Sequence, residues 1–129
     1  MKNKRFVLLV SGMILLSLLL AACSPTKEAS FPNGKFIKVG ESTRSFIFNE
    51  DGTWIVLEGS STLVRATYSV DGTVFTETSN DGGCETNVDF TYRFDGKNLT
   101  FNYAGDPDDD FGCSGRRADM NNVTYTLSE

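Results

Sequence analysis

Val88-Asp89-Phe90-Thr91-Tyr92-Arg93-Phe94-Asp95-Gly96-Lys97-Asn98-Leu99-Thr100-Phe101-Asn102-Tyr103 decides the fold class. Asp95-Gly96 separates two runs in which apolar and polar residues alternate, the period of a strand with one buried face. Asp-Gly between such runs is the strongest short-range signal for a hairpin with a two-residue type I′ turn. That turn opposes Phe94 to Lys97, Tyr92 to Leu99, Phe90 to Phe101 and Val88 to Tyr103. These residues share one face. Asp89, Thr91 and Arg93 share the other with Asn98, Thr100 and Asn102. Moving the turn by one residue would mix the faces, because side chains alternate with period two along a strand.

The same pattern repeats upstream. Residues 42–58 read as a hairpin whose turn, Asn49-Glu50-Asp51-Gly52-Thr53, suits a type I turn with glycine in the left-handed position of a bulge. The three-residue loop opposes Phe48 to Trp54, Phe46 to Val56 and Arg44 to Glu58, the last an ion pair. Ile47 and Ile55 occupy the opposite face, so both faces of this hairpin read as partly covered. Residues 63–78 form a third hairpin around Asp71-Gly72, with Tyr68 facing Phe75. Residues 35–39 make the first strand and 122–127 the last, and no helical period stands out beyond the leader. About eight short strands joined by Asp-Gly turns predict an all-β, antiparallel up-and-down meander. It closes most economically into a barrel, which leaves no free edge. A two-layer sandwich is the alternative.

Residues 1–22 fall outside that pattern. Lys2, Lys4 and Arg5 precede an apolar run from Phe6 to Leu20, and small residues follow, as in a cleaved secretory signal. Leu20-Ala21-Ala22-Cys23 resembles the lipobox of bacterial lipoproteins. The resemblance implies that Cys23 is lipidated and becomes the N-terminus; an ordinary signal with a chance cysteine is the other reading. Residues 23–33, polar with two prolines, read as a tether, and 34–129 as the barrel domain. Location is then the extracytoplasmic cell envelope, with the membrane as a partner through the lipid.

Removing Lys2, Lys4 and Arg5 from twelve basic residues leaves nine against seventeen acidic, a net charge of −8. That balance opposes nucleic acid and anionic membrane surfaces as electrostatic partners. If lipid consumes Cys23, Cys84 and Cys113 remain in a compartment where disulfides persist. A metal site is the alternative for these two, but it calls for more soft ligands, and the chain has no histidine. No metal or cofactor is expected.

Cys84, the run from Phe90 to Phe101, and Asp110-Phe111-Gly112-Cys113-Ser114-Gly115-Arg116 are similar to the second half of small lipocalin-like domains of bacterial secreted proteins and lipoproteins. Gly34-Lys35-Phe36 is similar to the Gly-x-Trp that opens the first lipocalin strand, with Phe36 in the tryptophan's place. The resemblance implies a β-barrel able to hold a small apolar ligand, without shared catalytic residues. It also implies a barrel-closing stack of Arg116 or Arg117 over Phe36.

Trp54, Tyr68, Phe90, Tyr92, Phe101 and Tyr103 are the candidate ligand-lining residues. The competing reading makes them core, since side chains alone can fill an eight-stranded barrel. Asp106, Asp108 and Asp110 have the alternate spacing of calcium loops, but Arg117 stands where the distal acidic ligand belongs, so the run reads as a solvated loop. Arg116 and Arg117 could neutralise it. Without a histidine base or an available thiol, no enzyme is expected. The expected role is binding of a small apolar ligand; a filled barrel acting as a protein-interaction module, its partner unknown, is the alternative.

Overall fold

The computed structural model describes residues 30–79, 84 and 86–129; the leader, Cys23, most of the tether and the Asn80–Gly83 break lie outside the described residues. Eight antiparallel strands run in chain order: β1 (Gly34–Lys38), β2 (Arg44–Phe48), β3 (Thr53–Glu58), β4 (Ser61–Asp71), β5 (Val74–Ser79), β6 (Asn87–Phe94), β7 (Asn98–Tyr103) and β8 (Val123–Leu127). Each pairs with the next, and β1 pairs with β8 through Phe36 opposite Leu127 and Lys38 opposite Tyr125, which closes the barrel. Closure leaves no unpaired edge. Strand alternation turns Phe46, Phe48, Trp54, Val56, Phe75, Val88, Phe90, Leu99, Phe101 and Tyr125 inward, all essentially inaccessible.

The β2–β3 hairpin has the expected register, with Phe48 opposite Trp54, Phe46 opposite Val56 and Arg44 opposite Glu58. Gly52 takes φ +79° in its turn, and the Asp51 carboxylate accepts the Thr53 N–H at 2.9 Å. Arg44 Nε lies 3.0 Å from Glu58, the expected ion pair.

Two registers differ from expectation. Phe94 opposes Leu99, Tyr92 opposes Phe101 and Phe90 opposes Tyr103, so the β6–β7 turn centres on Gly96-Lys97, not Asp95-Gly96. Asp95 ends the strand, and its carboxylate accepts the N–H groups of Lys97 at 2.9 Å and Asn98 at 2.7 Å. This side chain mimics a backbone turn, which moves the tip by one residue. Cross-strand partners shift by two, so the inward set is unchanged. The β4–β5 hairpin behaves alike: Val70 opposes Phe75 and Tyr68 opposes Glu77. Tyr68 and Phe75 still stack diagonally, with ring centroids 5.3 Å apart.

A helix absent from the strand pattern, α1 (Ser114–Met120), follows a single 3₁₀ turn, Phe111–Cys113. Seven residues are too few for helical propensity to act alone, so tertiary contacts hold it. Arg116 and Met120, one turn apart, bury the same face. Asp119 meets Arg44 at 3.0 Å, and Cys84–Cys113 is a disulfide spanning 29 residues of sequence. At its end Asn122 takes φ +58° and returns its N–H to the Phe101 carbonyl at 2.9 Å. Asparagine tolerates that left-handed conformation better than most residues.

Candidate functional site

The topology gives the barrel two dissimilar ends. The β2–β3, β4–β5 and β6–β7 turns gather at one, with the start of β1; we call it the mouth. The remaining connections, including α1 and the disulfide, gather at the other.

At the mouth an aromatic cluster forms around a residue outside the barrel wall. Packing extends back beyond the expected start at Gly34 and takes in Phe31, three residues before β1. Its ring centroid lies 4.9 Å from that of Tyr92, 5.1 Å from Phe48, and 5.2 Å from both Tyr68 and Phe75. Phe101 lies 6.4 Å away, at the floor. Two of the contacts are edge-to-face, at 80° to Tyr92 and 87° to Phe48, as the ring quadrupole favours, and those to Tyr68, Phe75 and Phe101 are tilted. Gly34 at φ +124° swings the preceding segment across the opening. The Tyr68 hydroxyl shares its one proton between the Asn49 carbonyl at 2.7 Å and Asn33 Oδ1 at 3.0 Å, so both polar and apolar parts of Tyr68 serve the mouth.

Three of the six candidate ligand-lining residues therefore meet here: Tyr68, Tyr92 and Phe101. The other three do not join them. Trp54 stacks on Phe48 at 5.3 Å deeper in the barrel. Phe90 and Tyr103 pack together at 5.8 Å on the side where α1 docks. The barrel interior beneath the mouth is packed with side chains, Phe46 stacking on Tyr125 at 4.1 Å.

The opposite end is polar and buried. Arg116 does not stack over Phe36, as the lipocalin resemblance implied; its guanidinium lies 5.1 Å over the larger Trp54 ring, while Phe36 packs edge-on against Phe48 and Phe94. Arg116 Nη2 donates to Ser79 Oγ at 2.7 Å, and Ser79 Oγ donates to Glu77 Oε2 at 3.2 Å. Arg116 Nε faces Glu77 Oε1 at 3.3 Å, and Cys84 Sγ lies 3.8 Å from the same oxygen. Trp54 Nε1 is buried without a hydrogen-bond acceptor among the described residues. Glu77 was readable in principle: once Phe75 points inward, alternation sends Glu77 and Ser79 the same way.

Burial pushes the Glu77 carboxyl up to about 7, against the opposing pull of Arg116 and the Ser79 hydroxyl. The folded chain thus holds this proton more tightly than the unfolded chain. Stability from this group is full below the ordinary carboxylate range and is lost as pH rises through about 7. Without histidine, few other groups titrate there. Chemical denaturation from pH 5 to pH 8 should show a stability loss of about 2 kcal/mol, absent in Glu77→Gln. Equal slopes in the two proteins would mean that Glu77 does not carry the effect.

The aspartate run is not wholly solvated. Asp106, Asp108 and Asp109 are exposed, but Asp110 turns inward, accepting from the Tyr103 hydroxyl at 2.6 Å and pairing with Arg117. Burial, then Asp110, pushes the Tyr103 phenol up to about 12. Among the described residues, no group of three or more acidic or cysteine side chains is arranged to hold a metal ion. Nor is any helix there long and apolar enough to cross a membrane.

Fold and site together define a closed eight-stranded up-and-down barrel, aromatic at one end and sealed by a disulfide-tethered helix at the other. Compared with protein-family models, with curated proteins and with solved structures, the chain matches none.

Proposed function

We propose that the protein is a lipid-anchored, extracytoplasmic binding protein, a lipocalin-like barrel that takes a small apolar ligand at its mouth. The observation that carries this reading is the seat of Phe31: a ring supplied from outside the barrel wall sits among Phe48, Tyr68, Phe75 and Tyr92. A site that accepts one flat apolar ring has the shape and chemistry for another. Packing below confines the ligand to the mouth instead of a deep cavity. The Leu20-Ala21-Ala22-Cys23 motif supports anchoring through a lipid on Cys23. The role is binding and not catalysis, since the chain lacks histidine and its barrel cysteines are joined.

Cys23→Ser should move the protein from the membrane to the soluble fraction; continued retention would place the anchor elsewhere. That released form, titrated with N-phenyl-1-naphthylamine, should show saturable fluorescence gain that indole reverses. No saturable binding would favour the second reading, a filled barrel that works as a protein-interaction module. One observation supports that alternative: Phe111 is 86% exposed, between the buried Asp110 and the disulfide-bonded Cys113. Such rigid presentation suits an anchor residue of an interface.

A further inference from the structure

Phe31 differs from every other ring of the mouth cluster in how it is held. Phe48, Tyr68, Phe75, Tyr92 and Phe101 are all strand residues, the two tyrosines half-buried and the three phenylalanines at most 1% exposed. Phe31 is half-buried and precedes β1. Among the described residues, no backbone hydrogen bond ties Ser30, Phe31, Pro32 or Asn33 to the barrel. What fastens the segment is the ring in its seat and the Tyr68 hydroxyl on Asn33 Oδ1. Pro32 has no N–H to offer a strand partner, and Gly34 at φ +124° supplies a bend that residues with a Cβ rarely adopt.

We infer that residues 31–33 form a strap whose Phe31 ring occupies the protein's own ligand site, and that a small planar apolar molecule binds by exchanging with that ring. This rests on the ligand-binding reading and adds its regulation. The strap and the incoming molecule compete for one seat, so apparent affinity falls by the fraction of time the seat is free. Tyr68 is placed to act in both states. Its hydroxyl releases Asn33 when the strap lifts and keeps the Asn49 carbonyl, so the wall of the seat remains hydrogen-bonded. In the anchored protein, the strap is the barrel end of the link from Cys23, its Phe31 eight positions after Cys23. Ligand exchange would therefore lengthen the tether by freeing residues 31–33 from the mouth.

The test uses the full chain in lipid nanodiscs, with 4-fluorophenylalanine placed at position 31 alone and indole as the probe. Indole saturation should move the fluorine resonance from a buried to a solvent-exposed position. In parallel, 5-fluoroindole binding, corrected with empty nanodiscs, should tighten at least tenfold in Phe31→Ala and about threefold in Asn33→Ala. The second variant leaves the seat filled and only removes the Tyr68 latch, so it covers the case in which Phe31→Ala fails to fold. A new cavity alone could bind the probe in Phe31→Ala; only exchange moves the label in a chain that keeps its ring. Saturable binding with an unmoved label and unchanged Asn33→Ala affinity would overturn the strap and leave the ligand reading standing. No saturable binding to any form, with the disulfide and the β-sheet spectrum intact, would overturn both.

Discussion

Arg116→Ala is expected to destabilise the folded barrel by about 1–3 kcal/mol, the cost of leaving buried hydrogen-bonding groups without their partner. The side chain is 8% exposed and meets three groups at once: the Glu77 carboxylate, the Ser79 hydroxyl and the Trp54 face. Truncation leaves Glu77 inaccessible and without its cation, so its carboxyl should stay protonated to still higher pH. Removing both charges is a different matter. Arg116→Met with Glu77→Leu replaces the pair by apolar groups of similar size, which in buried pairs is often neutral or stabilising. The double variant should recover most of the loss in urea denaturation at pH 7. A loss under about 1 kcal/mol in Arg116→Ala would mean that the cluster does not hold α1 to the barrel.

Cys113→Ser is the second large effect. The bridge closes a loop of 29 residues, which the chain-entropy model equates with about 3–4 kcal/mol. The local consequence is larger than the global number suggests. Cys113 immediately precedes α1, and Arg116 reaches the interior from that helix. Losing the tether should therefore expose Trp54, the only tryptophan, to solvent before the barrel unfolds. Thermal unfolding under oxidising conditions should fall by more than about 10 °C, with a red shift of tryptophan emission ahead of the main transition. An unchanged midpoint, with free thiols found in the unmutated protein, would remove the bridge from the account.

How far the sequence was legible depended on which interactions set each element. The β2–β3 hairpin could be read residue by residue, because its glycine position and its aromatic faces agree on one register. At Asp71 and Asp95 the faces were right and the turns were one residue off. In the β6–β7 turn, a side-chain carboxylate replaced a backbone group in closing the loop. Period-two alternation cannot detect a shift of two. Helix α1 was hidden because its formation depends on the disulfide and on Arg116, Asp119 and Met120 docking, not on any local period. Asn121-Asn122 was the available sign of a helix end. The lipocalin resemblance implied Arg116 or Arg117 over Phe36, whereas Arg116 lies over Trp54 and Arg117 over Tyr103. Phe31 was invisible to pattern reading, a single ring in a polar tether. Its significance comes entirely from which strands close around it.

Native mass spectrometry of the protein purified from the cells that make it and kept undenatured tests the ligand claim most directly. The account predicts a polypeptide lighter by the two hydrogens of one disulfide, with a fraction carrying the extra mass of a small apolar molecule. That mass should leave on denaturation, pass into organic solvent, and be replaced by indole when indole is supplied. A protein that emerges bare, both as extracted and after equilibration with indole, would contradict a ligand site at the mouth and direct attention to protein partners of the exposed Phe111 loop.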